Sequence, residues 1–135
     1  MTTDRETTNR LMLRSRDAMD RDYRSELDIA ALAQIACVSQ AHFIRTFKAT
    51  FGETPHRYLQ RRRVERAMYL LRTTSTAITD ICMDVGFSSL GTFSRTFAEI
   101  LGETPTQYRA RGRLDDVPSC FVRAWTRPSS FGEAL

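Results

Sequence analysis

Two arginines, Arg45 and Arg95, occupy the same place in a 16-residue segment that occurs twice in the chain. Residues 43–58 and 93–108 are identical at nine of sixteen positions, and both read Phe-x-Arg-Thr-Phe-x-x-x-x-Gly-Glu-Thr-Pro-x-x-Tyr. An arginine guanidinium is planar and carries five N–H donors, so it can bind two neighbouring acceptors at once. The repeat therefore places one such recognition group in each of two similar structural units.

The repeated segment has the pattern of one helix that ends and a second helix that begins. Phenylalanines four residues apart give the first helix an apolar face, glycine ends it, and Thr-Pro supplies the N-cap and first residue of the next helix. Upstream of the first copy, Asp28 is a good N-cap for a short helix that ends near Ala36. After a three-residue turn, Ser39 caps the longer helix. This order predicts a helix-turn-helix unit in each copy.

We therefore expect an all-α protein with the following division. Residues 1–54 form the N-terminal helix-turn-helix subdomain, which opens with a helix from about Thr8 to Asp22. Residues 55–72 form a long linker helix, residues 73–112 form the C-terminal helix-turn-helix subdomain, and residues 113–135 form a C-terminal tail.

The two copies differ by one residue near their turns. The numbering offset is 49 before the turn, which pairs Ser39 with Ser88, and 50 after it, which pairs Phe43 with Phe93. We therefore expect one inserted residue at the start of the longer helix in the second copy.

The composition argues against several classes of protein. The chain has 135 residues, 41% of them hydrophobic, and no apolar run approaches the roughly 18 residues of a membrane span. We expect a soluble, cytoplasmic protein. The three cysteines are far apart and form no Cys-x-x-Cys pair, and neither His42 nor His56 has metal-binding partners at ligand spacing. No catalytic constellation is present, so we expect no enzyme activity, no metal and no cofactor.

The net charge of +4 is unevenly distributed. Between Ser39 and Arg72 lie eight basic residues and only two acidic ones. A basic stripe on an otherwise balanced surface would attract a polyanion. For the run from Arg61 to Arg66, the alternative interpretation is an ordinary solvated helix face.

In a helix-turn-helix unit, the second helix lies in the DNA major groove and turns its polar face to the bases. Arg45 can bind guanine O6 and N7 together, which discriminates by roughly 1–3 kcal/mol, and small apolar side chains can contact thymine methyls. Because the second copy has the less polar outer face, we expect the first copy to anchor specificity. The outer face shows Gln40, Ala41, Ile44, Arg45 and Lys48 in the first copy and Leu90, Gly91, Thr92, Ser94 and Arg95 in the second.

The chain resembles the AraC/XylS family of bacterial transcription regulators over about residues 9–110. The matching residues include Ala33-x-x-Ala36-x-Val38-Ser39, Phe47-Lys48-x-x-Phe51-Gly52-x-Thr54-Pro55-x-x-Tyr58, and Gly86-Phe87-Ser88 followed by Phe97, Gly102, Thr104-Pro105 and Tyr108-Arg109.

This resemblance implies seven helices and two recognition helices in successive major grooves. By the family's pattern, the residues expected to face the bases are Ala41, Ile44, Arg45, Leu90, Gly91, Thr92, Ser94 and Arg95, and those expected to contact the DNA backbone are Ser39, Gln40, Lys48 and Ser88. It implies an asymmetric double-stranded DNA site of about 20 base pairs that a monomer can bind. Activation is the commoner outcome in the family, and RNA polymerase is a further candidate partner. Because few residues flank the two units, we expect a stand-alone member without a ligand-sensing domain.

Two alternatives remain open at this point. The weakly polar second face also fits a helical protein-interaction module, or a partner-dependent coregulator with weak DNA reading. Cys37 stands where the second copy has Gly86, so its backbone is expected to be left-handed, and the alternative role for this residue is a redox-sensing thiol. Cys82 is expected to be a small core residue.

Overall fold

The structure, a computed structural model, describes residues 4–112. These residues form seven α-helices and no strand, which confirms the predicted all-α fold with two helix-turn-helix units; the predicted tail, 113–135, lies outside the described residues. None of the helices within 4–112 has the length and apolar character needed to cross a bilayer. The helices are α1 (Asp4–Asp22), α2 (Ile29–Ile35), α3 (Gln40–Phe51), α4 (Pro55–Thr73), α5 (Ile78–Asp84), α6 (Leu90–Leu101) and α7 (Pro105–Ala110).

The chain forms two compact units that divide within α4, after Leu59. In the first unit, the predicted N-caps Asp28, Ser39 and Thr54 are confirmed. Each accepts a hydrogen bond from the backbone N–H three residues later, at 2.7, 3.2 and 3.2 Å. α1 extends at least four residues further toward the N-terminus than predicted.

An aromatic stack organises the core of the first unit. Phe43, Phe47 and Phe51 are buried along the inner face of α3, as predicted. The Phe47 ring centroid lies 4.6 Å from that of Phe51 and 5.7 Å from that of Tyr58 in edge-on contacts. Such pairs add about 0.5–1.5 kcal/mol each beyond the burial of area. α3 is therefore held with one face toward the core.

The second unit has the same kind of aromatic core, except that one ring comes from a different position in the chain. Phe93 and Phe97 are buried on α6, and Phe97 makes an edge-on contact at 5.6 Å with Tyr108, as Phe47 does with Tyr58. The third ring comes from Phe87 in the turn, 5.2 Å from Phe93, because α6 ends in Leu101 where α3 ends in a phenylalanine. Among residues 4–112, each unit thus buries three phenylalanines and a tyrosine.

Arg109 joins α7 to the end of α4 in the second unit. Its guanidinium donates to the carbonyl oxygens of Leu71, Thr74 and Thr76 at 3.1, 3.2 and 2.7 Å. The carbonyls at a helix C-terminus have no partner within the helix and carry partial negative charge. Arg109 therefore caps α4, a role that Leu59 at the corresponding place in the first unit does not perform.

The position of the inserted residue differs from the prediction. The N-cap of α6 is Ser89, whose hydroxyl accepts from the Thr92 N–H at 3.2 Å, so Ser89 rather than Ser88 corresponds to Ser39. The offset of 49 holds through Phe87, whose N–H donates to Cys82 O just as the Val38 N–H donates to Ala33 O. Ser88 is therefore the extra residue, and it lies in the turn before the helix.

Cys37 has the left-handed backbone that the sequence predicts. Its φ is 59°, and among residues 4–112 it is the one residue other than glycine with a positive φ. Gly86 has φ 105° at the same place in the second turn. A side chain in this conformation costs roughly 1–2 kcal/mol. The first turn is therefore strained where the second is not.

Replacing Cys37 with glycine should raise the melting temperature. The substitution removes the strain, although the greater freedom of glycine in the unfolded chain offsets about half of the gain, which leaves on the order of 1 kcal/mol. Cys37→Ala is the matched control, because it removes the thiol and keeps the Cβ. Thermal unfolding followed by circular dichroism measures both, and an equal rise in the two variants would contradict backbone strain as the cause.

The two core tyrosines differ in their hydroxyl groups. Tyr58 Oη donates to Asp20 Oδ1 at 2.6 Å, whereas the buried Tyr108 hydroxyl has no hydrogen-bond partner among the described residues. The buried pair Ala18–Met19 of α1 corresponds to Ala67–Met68 of α4. The residue that follows is Asp20 in α1 and Tyr69 in α4, so the carboxylate that accepts from Tyr58 has no counterpart at this position of the second unit.

Tyr58→Phe and Tyr108→Phe should therefore have unequal effects. Loss of the hydrogen bond to a carboxylate should lower the stability of the Tyr58 variant by about 1–2 kcal/mol, whereas removal of an unsatisfied buried hydroxyl should be neutral or stabilising. Chemical denaturation of the two variants measures the difference. Equal destabilisation by both substitutions would show that the Tyr108 hydroxyl has a partner.

Candidate functional site

The outer face of α3 is exposed opposite its buried phenylalanines. Ile44 is 38% exposed despite being apolar. Arg45, on the same face, is also exposed, and Ser39 is exposed at the N-cap. All six residues that the sequence predicts for this copy therefore lie at the surface: Ser39, Gln40, Ala41, Ile44, Arg45 and Lys48.

The outer face of α6 is exposed in part. Leu90, 44% exposed, Gly91 and Arg95 are at the surface, whereas Thr92 and Ser94 are half-buried. The Thr92 hydroxyl accepts from Ser89 Oγ at 2.9 Å, so it is engaged at the helix cap. Ser88 is exposed in the turn.

Arg45 and Arg95 hold the same position on their helices. Each is the sixth of twelve residues, between phenylalanines at the fourth and eighth positions that face the core. Because both helices carry the same inner contacts, both arginines project from the face opposite the core. The structure therefore places the two predicted recognition groups equivalently within their own units.

The neighbours of the two arginines differ in polarity. α3 presents Gln40 and Lys48 beside its arginine, where α6 has Leu90 and Ala98. The structure also adds His42, which is exposed at the third position of α3, where α6 has Thr92. His42 is not among the residues predicted from the sequence. Alignment of the two copies at an offset of 50 pairs His42 with Thr92, which is predicted to face the bases, and this pairing could have identified it.

The basic stretch from Ser39 to Arg72 does not form a continuous exposed stripe. Arg61 is only 2% exposed and is paired with the buried Glu65, which also contacts Arg62 Nη1 at 2.9 Å. For Arg61, both the basic stripe and the solvated helix face are therefore wrong interpretations. Its side chain is neither a free cation nor solvated.

The other arginines of the stretch pack against rings or are partly covered. Arg63, Arg66 and Arg72 lie over the rings of Phe87, Tyr69 and Tyr108, with the guanidinium carbons 5.9, 4.9 and 4.0 Å from the centroids. All three are half-buried, and so is Arg57. The exposed cations of the stretch are Arg45 and Lys48, and both lie on the outer face of α3.

Burial dominates the electrostatics of Glu65. Desolvation raises the pKa of its carboxyl from 4.5 to about 7, while the charges of Arg61 and Arg62 act in the opposite direction. Glu65 thus pairs with Arg61 inside the second unit, so Arg61 is not part of an exposed basic surface.

The histidines and cysteines form no metal site in the part of the chain that the structure describes. No group of three or more His, Cys, Asp or Glu side chains is placed to hold an ion there. Cys82 is buried in the second core, as predicted, and burial raises the pKa of its thiol. Cys37 is exposed on the first turn, and its redox role stays a prediction.

Comparison with known proteins identifies the family. The helix-turn-helix domain model matches residues 32–111, more than half of the chain. An uncharacterised HTH-type transcriptional regulator of Haemophilus influenzae is 33% identical over 70 residues, and the HTH-type transcriptional activator RhaS of Escherichia coli is 35% identical over 71 residues. These matches cover 52% and 53% of this chain but only 24% and 26% of the two relatives.

A solved structure agrees with the sequence matches. The DNA-binding domain of AdpA, a global transcriptional factor crystallised with a target DNA, has a TM-score of 0.71 and 27% identity. The likeness covers 75% of this chain and 91% of that domain. The chain belongs to the AraC-type family of helix-turn-helix transcriptional regulators, which confirms the resemblance seen in the sequence. The family and these relatives are transcription regulators rather than enzymes.

The buried carboxyl of Glu65 should make stability depend on pH. Because its folded pKa is raised above the unfolded value, the folded state binds the proton more tightly, and stability should fall as the pH rises from about 4.5 to about 7. Glu65→Gln has no carboxyl at this position and so lacks this pH-dependent contribution to stability. The free energy of unfolding of the wild type should therefore fall relative to that of the variant as the pH rises from about 4.5 to about 7.

Thermal unfolding of both proteins at a series of pH values measures the effect. Asp84→Asn, at an exposed carboxylate of the same unit, controls for the change in net charge and should run parallel to the wild type. If the wild type instead gained stability over Glu65→Gln as the pH rises, Arg61 and Arg62 would be holding the carboxyl ionised.

Proposed function

We propose that the chain is a sequence-specific regulator of transcription that binds double-stranded DNA through the outer faces of α3 and α6. The observation that carries the proposal is the equivalent placement of Arg45 and Arg95. Each is exposed on a twelve-residue helix whose opposite face is locked into a core by aromatic rings. A helix about 10–12 Å across fits the major groove, which is about 12 Å wide.

The chemistry of the two faces suggests how bases would be read. Arg45 and Arg95 would bind guanine O6 and N7 in bidentate fashion, and Ala41, Ile44 and Leu90 would contact thymine methyls. Contacts with the phosphates position a helix without reading sequence. We assign these to Ser39, Gln40, Lys48 and Ser88, and we add His42 as a residue that can reach the DNA beside Arg45.

Several finer features of the proposed function are supported by members of the family rather than by this structure. The AdpA domain bound to target DNA supports double-stranded DNA as the ligand, and RhaS, an activator, supports activation. We infer an asymmetric site of about 20 base pairs bound by a monomer, with one box for each recognition helix. RNA polymerase is a candidate partner, and the cytoplasm is the expected location.

Selection of bound duplexes from a random DNA pool at about 150 mM salt tests the proposal. We expect enrichment of two short boxes about one helical turn apart, and binding whose logarithm falls with log salt by about 0.9 per phosphate neutralised. The absence of any enriched sequence would contradict site-specific binding. It would favour the alternative, a protein-interaction module or a coregulator that needs a partner.

Arg45→Ala should reduce discrimination between the selected site and a scrambled duplex by roughly 5- to 150-fold, because it removes a bidentate base contact. Arg95→Ala should reduce it less, since the outer face of α6 offers fewer polar groups to hold that helix in register. Fluorescence anisotropy on both duplexes measures the two losses.

Lys48→Ala is the matched control for these variants. As a phosphate contact, Lys48 should weaken binding to both duplexes alike and reduce the salt slope by about one. An equal loss of discrimination in Arg45→Ala and Arg95→Ala would contradict the unequal roles of the two helices. Discrimination that survives both substitutions would contradict the assignment of the arginines as base readers.

A further inference from the structure

Within residues 4–112, the fold gives Gly91 no structural reason to be glycine. It is the second residue of α6, has an ordinary helical backbone, and is exposed. A Cβ built on it meets no described atom within 4 Å beyond its chain neighbours and the backbone of its own helix. Alanine would therefore fit the fold, and it is the best helix former where glycine is among the worst.

The equivalent residue of α3 is Ala41, which carries the Cβ that Gly91 lacks. A glycine in a helix that the fold does not require marks a place where something approaches the backbone closely. The surroundings indicate what approaches. Leu90 beside it is an exposed apolar side chain, and the cation on this face, Arg95, is a full turn further along the helix. Leu90 and Gly91 thus offer an apolar, uncrowded patch on the first turn of α6 that a methyl group can enter.

We propose that Gly91 is a specificity-determining residue whose missing side chain makes room for a thymine 5-methyl group, with Leu90 as the apolar wall beside it. This inference rests on the proposed DNA-binding function and adds to it the base that the first turn of α6 selects. The thymine methyl is the group that projects from this base into the major groove. A Cβ at position 91 would occupy the same space.

The test combines one substitution in the protein with the removal of one methyl from the DNA. The probe is the duplex enriched by selection, with each thymine of the α6 box replaced in turn by deoxyuridine. The α6 box is the one whose sequence preference Arg45→Ala leaves intact. Wild-type protein should bind one of these deoxyuridine duplexes about fourfold more weakly, the value of one buried methyl group.

Gly91→Ala should reverse this preference. Its Cβ should clash with the methyl and weaken binding to the thymine duplex by roughly tenfold, while the deoxyuridine duplex, which leaves room for the Cβ, should bind better than the thymine duplex. The same variant should melt roughly 2 to 5 °C higher than wild type, because alanine favours the helix. Lower affinity in a more stable protein separates a contact with DNA from damage to the fold.

Ala41→Gly is the matched control, because it makes the reverse change at the equivalent position of α3. It should lower the melting temperature and weaken binding at the α3 box, where Ala41 is assigned to a thymine methyl, while the preference for thymine in the α6 box stays unchanged. A Gly91→Ala protein that binds both duplexes as tightly as wild type would overturn the inference. Equal weakening on both duplexes would also overturn it, since the close approach would then be to the DNA backbone. A failure of wild type to enrich any duplex would instead contradict the proposed function itself.

Discussion

The stack of aromatic rings on the inner face of each recognition helix is the constraint on which the rest of the site depends. Phe47 and Phe97 each contact the preceding phenylalanine of the helix and a tyrosine from the helix that follows. These rings fix how each helix is rotated about its own axis. The sixth residue of the helix must then face away from the core, so the position of the arginine is set by packing and needs no contact of its own.

Packing also decides which charges reach the surface. Most of the arginines between Ser39 and Arg72 are covered by rings or by a buried carboxylate, and the cations left exposed lie on α3. The exposed face of α3 therefore carries positive charge beside the base-reading group. The arginines of α4 outnumber its one glutamate, but all of them are buried or half-buried, so a count of charges along the chain does not show which of them are exposed.

Much of the fold could be predicted from residue types at fixed spacings. Asp28, Ser39 and Thr54 each stand just before a helix, and the phenylalanines recur every four residues, so capping and burial followed from local rules. The insertion could not be placed in this way, because Ser88 and Ser89 are chemically equal as caps. What decides between them is that Phe87 must reach the core from the turn.

The exposed site residues could be predicted where the buried phenylalanines of a helix determine which of its residues face outward. The burial of the other site residues and of the basic residues was harder to predict. All six residues predicted for the first copy are exposed, whereas two of those in the second copy, Thr92 and Ser94, are half-buried. The burial of Arg61 was not visible in the sequence either. Its pairing with a glutamate four residues on is common on solvated helices, and only the tertiary fold covers it.

The central claim is that the face opposite each aromatic stack is the face that contacts DNA. Nuclear magnetic resonance of the isotope-labelled chain, titrated with its selected duplex, tests this most directly by locating the amides that shift. The account predicts the largest shifts from Ser39 to Lys48 and from Ser88 to Arg95, with the signals of the core rings unchanged. Shifts confined to the outer faces of α1, α2 or α5 would show that another surface binds the DNA and would contradict the account.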